Sequence, residues 1–231
     1  MRTSRAAGNV IYAIMRALVR ALVAIVLGRR LRVDGMENIP RSGPALVVGN
    51  HVGSIDPVIL GINIPRLDVY YMAKSELFEK RFMGWLFRHN HAFPVVRDSP
   101  DRTALRRALD LLARGHVLLL YPEGTRSSDG SLSRAQAGAG FIARLSGVPI
   151  IPVAAEGSDR VLPRGARIPR RRPVHITIGS PFALPATDDH GRTLSNQQAA
   201  DYMMARVAAL LANGRRKPAG SGRLSGTPPA A

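Results

Sequence analysis

The chain has 231 residues, which is enough for one domain with a substantial core, and it contains no cysteine. The absence of cysteine excludes a disulfide scaffold, thiolate metal sites and a covalent cysteine mechanism. Lysine and arginine together number 33 against 16 aspartates and glutamates, so the formal net charge of +17 attracts anionic partners such as nucleic acid and anionic lipid.

The first predicted element is an amphipathic helix over residues 10–27. Arg16 and Arg20 share one face because they lie four residues apart, and the apolar side chains gather opposite them: Ile11, Ile14, Met15, Leu18, Leu22, Ile25 and Val26. The segment is shorter than the ~20 apolar residues of a membrane span, and each central arginine opposes insertion by about 2.5–3.5 kcal/mol. We therefore predict that residues 1–28 form a helix in the membrane interface. One interpretation is that the arginines of this helix turn towards lipid phosphates. Packing on the domain's own core is the alternative.

An anionic membrane surface is favoured over nucleic acid as the partner of this charge. Aromatic residues make up only 5% of the chain, and the basic residues flank an apolar stretch instead of a stacking surface. A cleaved signal peptide fits poorly, because two arginines interrupt the apolar region and no small-residue cleavage site follows Leu27. Further arginines are concentrated in a loop, which either contacts lipid phosphates or is a solvated charge run: Arg160, Arg164, Arg167, Arg170, Arg171 and Arg172.

Along the rest of the chain, apolar runs that predict strands alternate with helical patterns. The predicted strands cover residues 31–33, 45–50, 68–73, 117–121, 149–155 and 174–178. The predicted helices cover residues 57–62, 75–88, 101–114, 134–146 and 195–213. This alternation predicts one α/β domain over residues 29–213. Residues 214–231 are rich in Gly, Pro, Ser and Arg, and we predict that they form a disordered basic tail.

The segment after the second predicted strand carries a histidine and an aspartate five residues apart. On one continuous helix such residues point in different directions, so His51 and Asp56 can meet only across a turn. Gly53 and Ser54 favour that turn, and Pro57 favours a helix start behind it, which predicts Asp56 at the helix N-cap. The carboxylate then accepts from one imidazole nitrogen, and the other nitrogen can take a proton from a substrate hydroxyl. An ordinary helix cap beside an unrelated histidine is the alternative.

A second polar segment follows the predicted strand at residues 117–121, and it contains Glu123, Gly124, Thr125 and Arg126. Main-chain amides beside a glycine, a hydroxyl and a guanidinium suit the oxygens of a phosphate group. We expect Glu123 to pair with Arg126 or to accept a hydrogen bond from a substrate hydroxyl. The alternative is an ordinary Pro-Glu-Gly turn with a solvated arginine.

In order and spacing, these segments resemble the NHxxxxD and FPEGTRS blocks of the glycerolipid acyltransferases, whose members include the 1-acylglycerol-3-phosphate O-acyltransferases (PlsC-like enzymes). Residues 50–56 read NHVGSID and residues 121–127 read YPEGTRS. Residues 92–97 and 148–154 resemble the second and fourth blocks of the family, and the resemblance spans residues 31 to about 182. Tyr121 departs from the pattern, because the family usually has Phe there.

The resemblance implies transfer of a fatty acyl group from acyl-CoA or acyl carrier protein to the free hydroxyl of 1-acylglycerol-3-phosphate, which gives phosphatidic acid. No covalent acyl-enzyme and no cofactor are implied. His51 is expected to act as the general base and Asp56 to orient it, with the amides of Gly53 and Ser54 as candidate oxyanion donors. The acceptor is expected to bind to a set of polar residues, of which the last two are additional cations for its phosphate: Glu123, Gly124, Thr125, Arg126, Arg97 and Lys74.

We expect a mixed central sheet flanked by helices, in a peripheral or monotopic protein at the cytoplasmic face of the cell membrane. The expected partners are an anionic membrane surface, the acyl donor and a lysophospholipid, without nucleic acid. The six histidines show no compact ligand pattern, so we predict no metal. Two alternatives remain open. The first is the same chemistry on another acceptor: another lysophospholipid, a lyso-ornithine lipid or a glycolipid. The second is a basic membrane or nucleic-acid binding module, which does not explain the residues of the two polar segments.

Overall fold

The structure is a computed structural model that describes residues 2–96, 101–127 and 130–216. Its strands are β1 (Leu31–Asp34), β2 (Ala45–Gly49), β3 (Val69–Lys74), β4 (Ala92–Val95), β5 (Val117–Leu120), β6 (Ile150–Glu156) and β7 (Val174–Ile178). They form one sheet of seven strands in the order β1-β7-β6-β2-β5-β3-β4. Neighbouring strands are parallel except for β6 and β7, which confirms the predicted mixed sheet.

Helices flank the sheet on both faces, as predicted. They are α1 (Arg2–Val26), α2 (Asp56–Asn63), α3 (Arg81–His89), α4 (Arg102–Ala113), α5 (Ala137–Ser146) and α6 (Asn196–Arg216). Side chains of β2 alternate between two cores: Ala45 and Val47 pack with α2, whereas Leu46 and Val48 pack with α4, α5 and α6. A strand buried on both faces has a continuous apolar sequence, which is why the central strands are predictable.

Two stretches near β3 differ from the sequence prediction. Strand β4 was not predicted because Pro94 interrupts its apolar run, but β4 lies at the sheet edge, where a residue without an amide proton is tolerated. The predicted helix at 75–88 is a short 3-10 helix (Ser75–Phe78) followed by α3. Phe78 is buried, and a Cβ atom on Gly84 would lie 2.5 Å from its carbonyl oxygen, so the chain folds back on itself between these residues.

The C-terminal helix is longer than predicted. Helix α6 continues to Arg216, past the expected end at residue 213. It packs closely on α5, because Gly140 faces the carbonyl of Asn196 at a position where a Cβ atom would overlap the oxygen at 1.8 Å. The predicted tail falls mostly on residues 217–231, which lie outside the described residues.

Helix α1 packs on the domain through its arginine-bearing face. The guanidinium of Arg16 donates to carbonyls at and just beyond the C-terminal end of α2: Ile62 at 3.0 Å, Ile64 and Arg66. A cation at this end of a helix also interacts favourably with the helix dipole. Nearby, Tyr12 is 3% exposed and stacks on His91 with 4.1 Å between the ring centroids. The interpretation that Arg16 turns towards lipid phosphates is therefore wrong, because protein carbonyls bind it.

The opposite face of α1 is an exposed apolar stripe. Its side chains are between 38% and 69% exposed: Val10, Ile11, Ile14, Leu18, Leu22 and Ile25. Val26 was predicted on this face but packs against the core together with Val23. No helix in the described part of the chain is long and apolar enough to span a membrane. Helix α1 is thus attached to the domain by its polar face and presents its apolar face outward.

We expect Arg16→Met to loosen α1 from the domain. Methionine keeps the aliphatic stem but donates no hydrogen bond, and a bond from a charged donor contributes about 1.5–3 kcal/mol. The free energy of unfolding in urea should fall by about 2–3 kcal/mol, with faster hydrogen exchange along α1. Arg20→Met is the matched control, because Arg20 is exposed on the same helix. Equal losses in the two variants would contradict the role assigned to Arg16.

Candidate active site

Three strand ends meet at one edge of the sheet. Because β2, β5 and β6 run in the same direction, the residues that follow them lie at the same edge. His51 follows β2, Glu123 follows β5 and Ser158 follows β6. The register of β2 and β5 brings segments 50–57 and 121–127 side by side.

Asn50 extends the sheet by one residue beyond β2. Its side-chain amide donates to the carbonyl of Ala155 at 2.9 Å, and its side-chain oxygen accepts from the amide of Ala155 at 2.8 Å. Asn50 is 1% exposed, so both hydrogen bonds lie in the protein interior. The contact fixes the point at which His51 leaves the strand, a role that the sequence pattern does not reveal.

The predicted turn brings His51 and Asp56 together. The imidazole Nδ1 lies 3.0 Å from Asp56 Oδ2, and the same oxygen accepts from the amides of Val52 at 2.9 Å and Gly53 at 2.7 Å. Asp56 is 2% exposed and lies in the first turn of α2, whereas Ile55 occupies the N-cap predicted for Asp56. The carboxylate therefore holds the turn that precedes the helix, and with it the histidine ring.

Close packing against β6 explains the glycine in this turn. A Cβ atom on Gly53 would lie 2.7 Å from the main-chain carbonyl carbon of Ser158. The amide of Gly53 donates to Asp56, so it is not available to an oxyanion in this conformation, which corrects the prediction for Gly53. Ser54 is exposed, and its amide stays a predicted oxyanion donor.

Glu123 connects the second segment to the main chain of His51. Its Oε1 accepts from the amide of His51 at 2.9 Å, and its Oε2 accepts from the amide of Ser133 at 2.8 Å. The amide of Ser127 in turn donates to the carbonyl of His51 at 2.8 Å. Glu123 is 2% exposed, and within the described residues its oxygens bind backbone amides and not the guanidinium of Arg126, so the expected pair with Arg126 is wrong. Glu123 therefore positions the main chain of His51. The other expected role, to accept from a substrate hydroxyl, stays a prediction.

The residues after Glu123 form a turn in which one side chain reaches solvent. Gly124 has a left-handed φ of 68°, a conformation that favours glycine. Thr125 is exposed and Arg126 is half-buried. The carbonyl of Arg126 accepts from the guanidinium of Arg164 at 3.0 Å, so the arginine-rich loop contacts this segment directly.

Of the two additional cations, Lys74 belongs to the described residues. Lys74 lies 2.7 Å from Glu76, and this hydrogen bond lowers the pKa of Glu76 to about 2. Arg97 lies outside the described residues. Across residues 2–96, 101–127 and 130–216, no three His, Asp or Glu side chains form a group that could hold a metal ion. The prediction that the protein uses no metal stays a prediction.

Comparisons with known proteins support the family resemblance of these segments. A sequence model of the acyltransferase family matches residues 30–156, which is more than half of the chain. The chain belongs to the acyltransferase family. A 1-acyl-sn-glycerol-3-phosphate acyltransferase of Bacillus subtilis is 31% identical over 161 residues, which cover 69% of this chain and 77% of that protein. An enzyme of the same name from Pseudomonas aeruginosa is 26% identical over 195 residues, which cover 82% of this chain and 73% of that protein.

The fold has a counterpart among solved structures of this family. The crystal structure of the 1-acyl-sn-glycerophosphate (LPA) acyltransferase PlsC from Thermotoga maritima matches with a TM-score of 0.70 and 23% sequence identity. The match covers 94% of this chain and 85% of that chain. The resemblance stated from the sequence blocks is confirmed, and the structural match extends beyond the 30–156 region of the family model.

Tyr121 is a residue of the site whose role the sequence did not reveal. Its ring stacks on the imidazole of His51 with 4.4 Å between the centroids. Its hydroxyl is buried and has no hydrogen-bond partner among the described residues. Burial raises the pKa of Tyr121 well above its usual value, and the nearby charge of Asp56 adds to the shift. The ring supports the histidine, whereas the hydroxyl carries a desolvation penalty.

We expect Tyr121→Phe to stabilise the protein without loss of function. The phenyl ring keeps the stack on His51, and removal of an unpaired buried hydroxyl should raise the free energy of unfolding by about 1 kcal/mol. Urea unfolding measures the change, and acyl-transfer assays should give a kcat close to that of the wild type. Tyr121→Ala removes the stack and serves as the contrasting variant. A large fall in kcat for Tyr121→Phe would show that the hydroxyl takes part in the reaction.

Proposed function

We propose that the protein transfers a fatty acyl group from an acyl thioester to the free hydroxyl of 1-acylglycerol-3-phosphate, which gives phosphatidic acid. The observation that carries the proposal is the 3.0 Å contact between His51 Nδ1 and Asp56, which leaves Nε2 to a substrate. The names of the Bacillus subtilis and Pseudomonas aeruginosa relatives support this choice of acceptor.

In the proposed reaction, His51 Nε2 takes the proton from the acceptor hydroxyl while the oxygen attacks the thioester carbonyl carbon. Asp56 keeps the other imidazole proton on Nδ1 and stabilises the imidazolium that forms. The tetrahedral intermediate then collapses, the carbon–sulfur bond breaks, and the proton on His51 passes to the departing thiol. The acyl group moves directly to the acceptor, so no residue of the protein is acylated.

A phosphate on the acceptor accounts for the cations near this base. Arg126 belongs to the same loop as Glu123, whose carboxylate binds the main-chain amide of His51. Arg164, in the arginine-rich segment, donates to the carbonyl of Arg126. A guanidinium binds phosphate oxygens in a fixed geometry, so it can orient the glycerol hydroxyl towards His51. The proposed donor is acyl-CoA or acyl carrier protein, and both are acidic partners for a chain with a net charge of +17.

The proposed place of action is an anionic membrane surface, which we assign to the cytoplasmic face of the cell membrane. The apolar stripe of α1 offers a row of exposed aliphatic side chains on a helix that is attached to the domain by Arg16 and Tyr12. Such a helix can lie in the interface with its apolar face among the acyl chains. Substrates with long acyl chains can then reach the site from the bilayer.

The deciding experiment measures thiol release from acyl-CoA, and separately from acyl carrier protein, in the presence of lysophosphatidic acid. We expect thiol release that depends on the acceptor, together with the appearance of phosphatidic acid. A basic binding module without catalytic activity would release no thiol above the background rate. Since the two donors are tested in parallel, failure with one donor and success with the other identifies the thioester that the protein uses.

An acceptor panel separates the proposed acceptor from the alternatives. Monoacylglycerol, which lacks a phosphate, is expected to react with a much lower kcat/KM than lysophosphatidic acid. Arg126→Gln should raise KM for lysophosphatidic acid more than for monoacylglycerol, whereas Arg134→Gln, at an exposed position on the same loop, should change neither. A preference for a lyso-ornithine lipid or a glycolipid would overturn the acceptor and keep the chemistry.

Membrane binding through α1 is tested on the full chain, because deletion of the helix would also remove Tyr12 and Arg16 from their packing sites. Leu18→Ser together with Leu22→Ser changes two exposed side chains of the apolar stripe. We expect this variant to sediment less with vesicles that contain phosphatidylglycerol and to keep the wild-type stability. Unchanged sedimentation would rule out the stripe as the membrane contact.

A further inference from the structure

A second apolar surface lies outside both the catalytic pair and the α1 stripe. It is formed by exposed side chains of the 3-10 helix after β3 and of α3, namely Leu77 at 41%, Phe82 at 70% and Trp85 at 45% exposure. The rings of Phe82 and Trp85 stack with 6.3 Å between their centroids, one turn apart on α3. We call these three residues the α3 patch. Large aromatic rings are rarely exposed together without a partner.

Basic side chains flank the aromatic rings of the α3 patch, whereas Glu76 and Glu79 are exposed beside Leu77. Lys80 and Arg81 are exposed at the start of α3, and Arg88 is exposed near its end. Helix α3 itself contains no acidic residue. The combination of aromatic rings with flanking cations is typical of helices that lie in a bilayer interface, where rings enter the headgroup region and cations approach lipid phosphates.

The segment that carries the α3 patch starts at the sheet edge of the proposed site and ends beside α1. It follows β3, whose last residue Lys74 lies at the sheet edge that carries His51. Helix α1 contacts α3, and Tyr12 of α1 stacks on His91 directly beyond the end of α3. Helix α3 therefore connects the helix that carries the apolar stripe with the strand that ends at the catalytic edge.

We propose that the α3 patch is a second membrane contact, which inserts Phe82 and Trp85 into an anionic bilayer and directs the catalytic edge towards the lipid. The inference rests on the proposed membrane association of α1. A single interfacial helix contacts the bilayer along one narrow apolar face, so the attached domain can still tilt on the membrane. A second contact on α3 restricts that tilt and directs the catalytic edge of the sheet towards the acyl chains.

The size of the α3 patch favours a bilayer over a protein partner. A buried aromatic side chain removes about 150–250 Å² from water. Two such rings and a leucine fall short of the ~800 Å² that each partner contributes to a stable protein interface. In a bilayer, the same side chains need no complementary surface, because lipid fits around them.

The chain offers a direct probe of this contact, because Trp85 is its single tryptophan. We expect the emission of the full-length protein to shift to shorter wavelength with vesicles of phosphatidylcholine and phosphatidylglycerol, and to be quenched by lipids brominated near the headgroup end of the acyl chain. Unchanged emission from protein that sediments with the vesicles would overturn the proposal, since binding would then leave the α3 patch in water. A shift with acyl carrier protein and none with vesicles would also overturn it.

Phe82→Ser tests the energetic contribution of the α3 patch and keeps the probe. Loss of one inserted aromatic ring should weaken vesicle binding about tenfold. Leu145→Ser, on the far face of the sheet, is the matched control, because Leu145 is 59% exposed on α5 and should not affect binding. Equal binding by Phe82→Ser and the wild type would contradict the proposal.

Assays with a short-chain, water-soluble lysophosphatidic acid distinguish a role of Phe82 in membrane binding from a role in the proposed reaction. Phe82→Ser should match the wild type with this monomeric acceptor and fall below it with acceptor presented in vesicles. Equal losses in the two assays would place Phe82 in the reaction site and overturn the membrane role. If the wild-type protein is inactive but its Trp85 emission shifts with vesicles, the proposed reaction is wrong and the membrane contact of the α3 patch is supported.

Discussion

Replacing His51 with alanine is expected to lower kcat for acyl transfer by about 10³-fold, within the range that general-base groups contribute. The variant removes the imidazole held by Asp56 but keeps the main-chain amide that donates to Glu123. The loop geometry is therefore retained, and the loss falls on kcat and not on folding. Thiol release in the presence of lysophosphatidic acid measures the change.

His190→Ala is the matched control, because this histidine is exposed and lies far from the site in the chain. It should leave kcat unchanged. Urea unfolding of both variants establishes that His51→Ala is folded under the assay conditions. A folded His51→Ala protein with turnover near the wild-type level would exclude His51 as the base.

Asp56→Asn should lower kcat by about 10²-fold with little effect on stability. One oxygen of Asp56, Oδ2, accepts from His51 Nδ1 and from the amides of Val52 and Gly53. An asparagine oxygen in the same place keeps these three hydrogen bonds, but it carries no charge to stabilise the imidazolium that forms in the proposed reaction. Single-turnover kinetics at saturating substrate measures this loss without a contribution from binding.

Asp56→Ala has a different expected effect, because it removes the group that holds the turn. The free energy of unfolding should fall by about 2–5 kcal/mol as buried amides of the turn lose their acceptor. Urea unfolding of the alanine and asparagine variants therefore separates the structural role of Asp56 from its effect on His51. Activity near the wild-type level in Asp56→Asn would leave the carboxylate with the structural role alone.

Local sequence rules are sufficient for the central strands and for the catalytic pair. Strands β2 and β5 have continuous apolar sequences because both of their faces are buried. Side chains five residues apart can meet only across a turn, and glycine and serine before Pro57 provide it. The same kind of reasoning places Arg16 opposite the apolar stripe of α1.

Contacts between distant segments could not be predicted in this way. Arg16 binds carbonyls near residue 64, and Glu123 binds the amide of His51. Sequence reasoning assigned these charges to partners close in the chain or to a substrate, because a single sequence contains no information on distances in space. Strand β4 and the Asn50 contact with Ala155 were missed for a related reason, since neighbouring strands determine both.

The main chain of His51 is held on both sides by one loop. Its amide donates to Glu123, and its carbonyl accepts from Ser127. A side chain of residues 121–127 that binds the glycerol phosphate is therefore held at a fixed spacing from the base. In a protein with the proposed function, this main-chain connection sets the distance between the bound phosphate and the hydroxyl that reacts at His51.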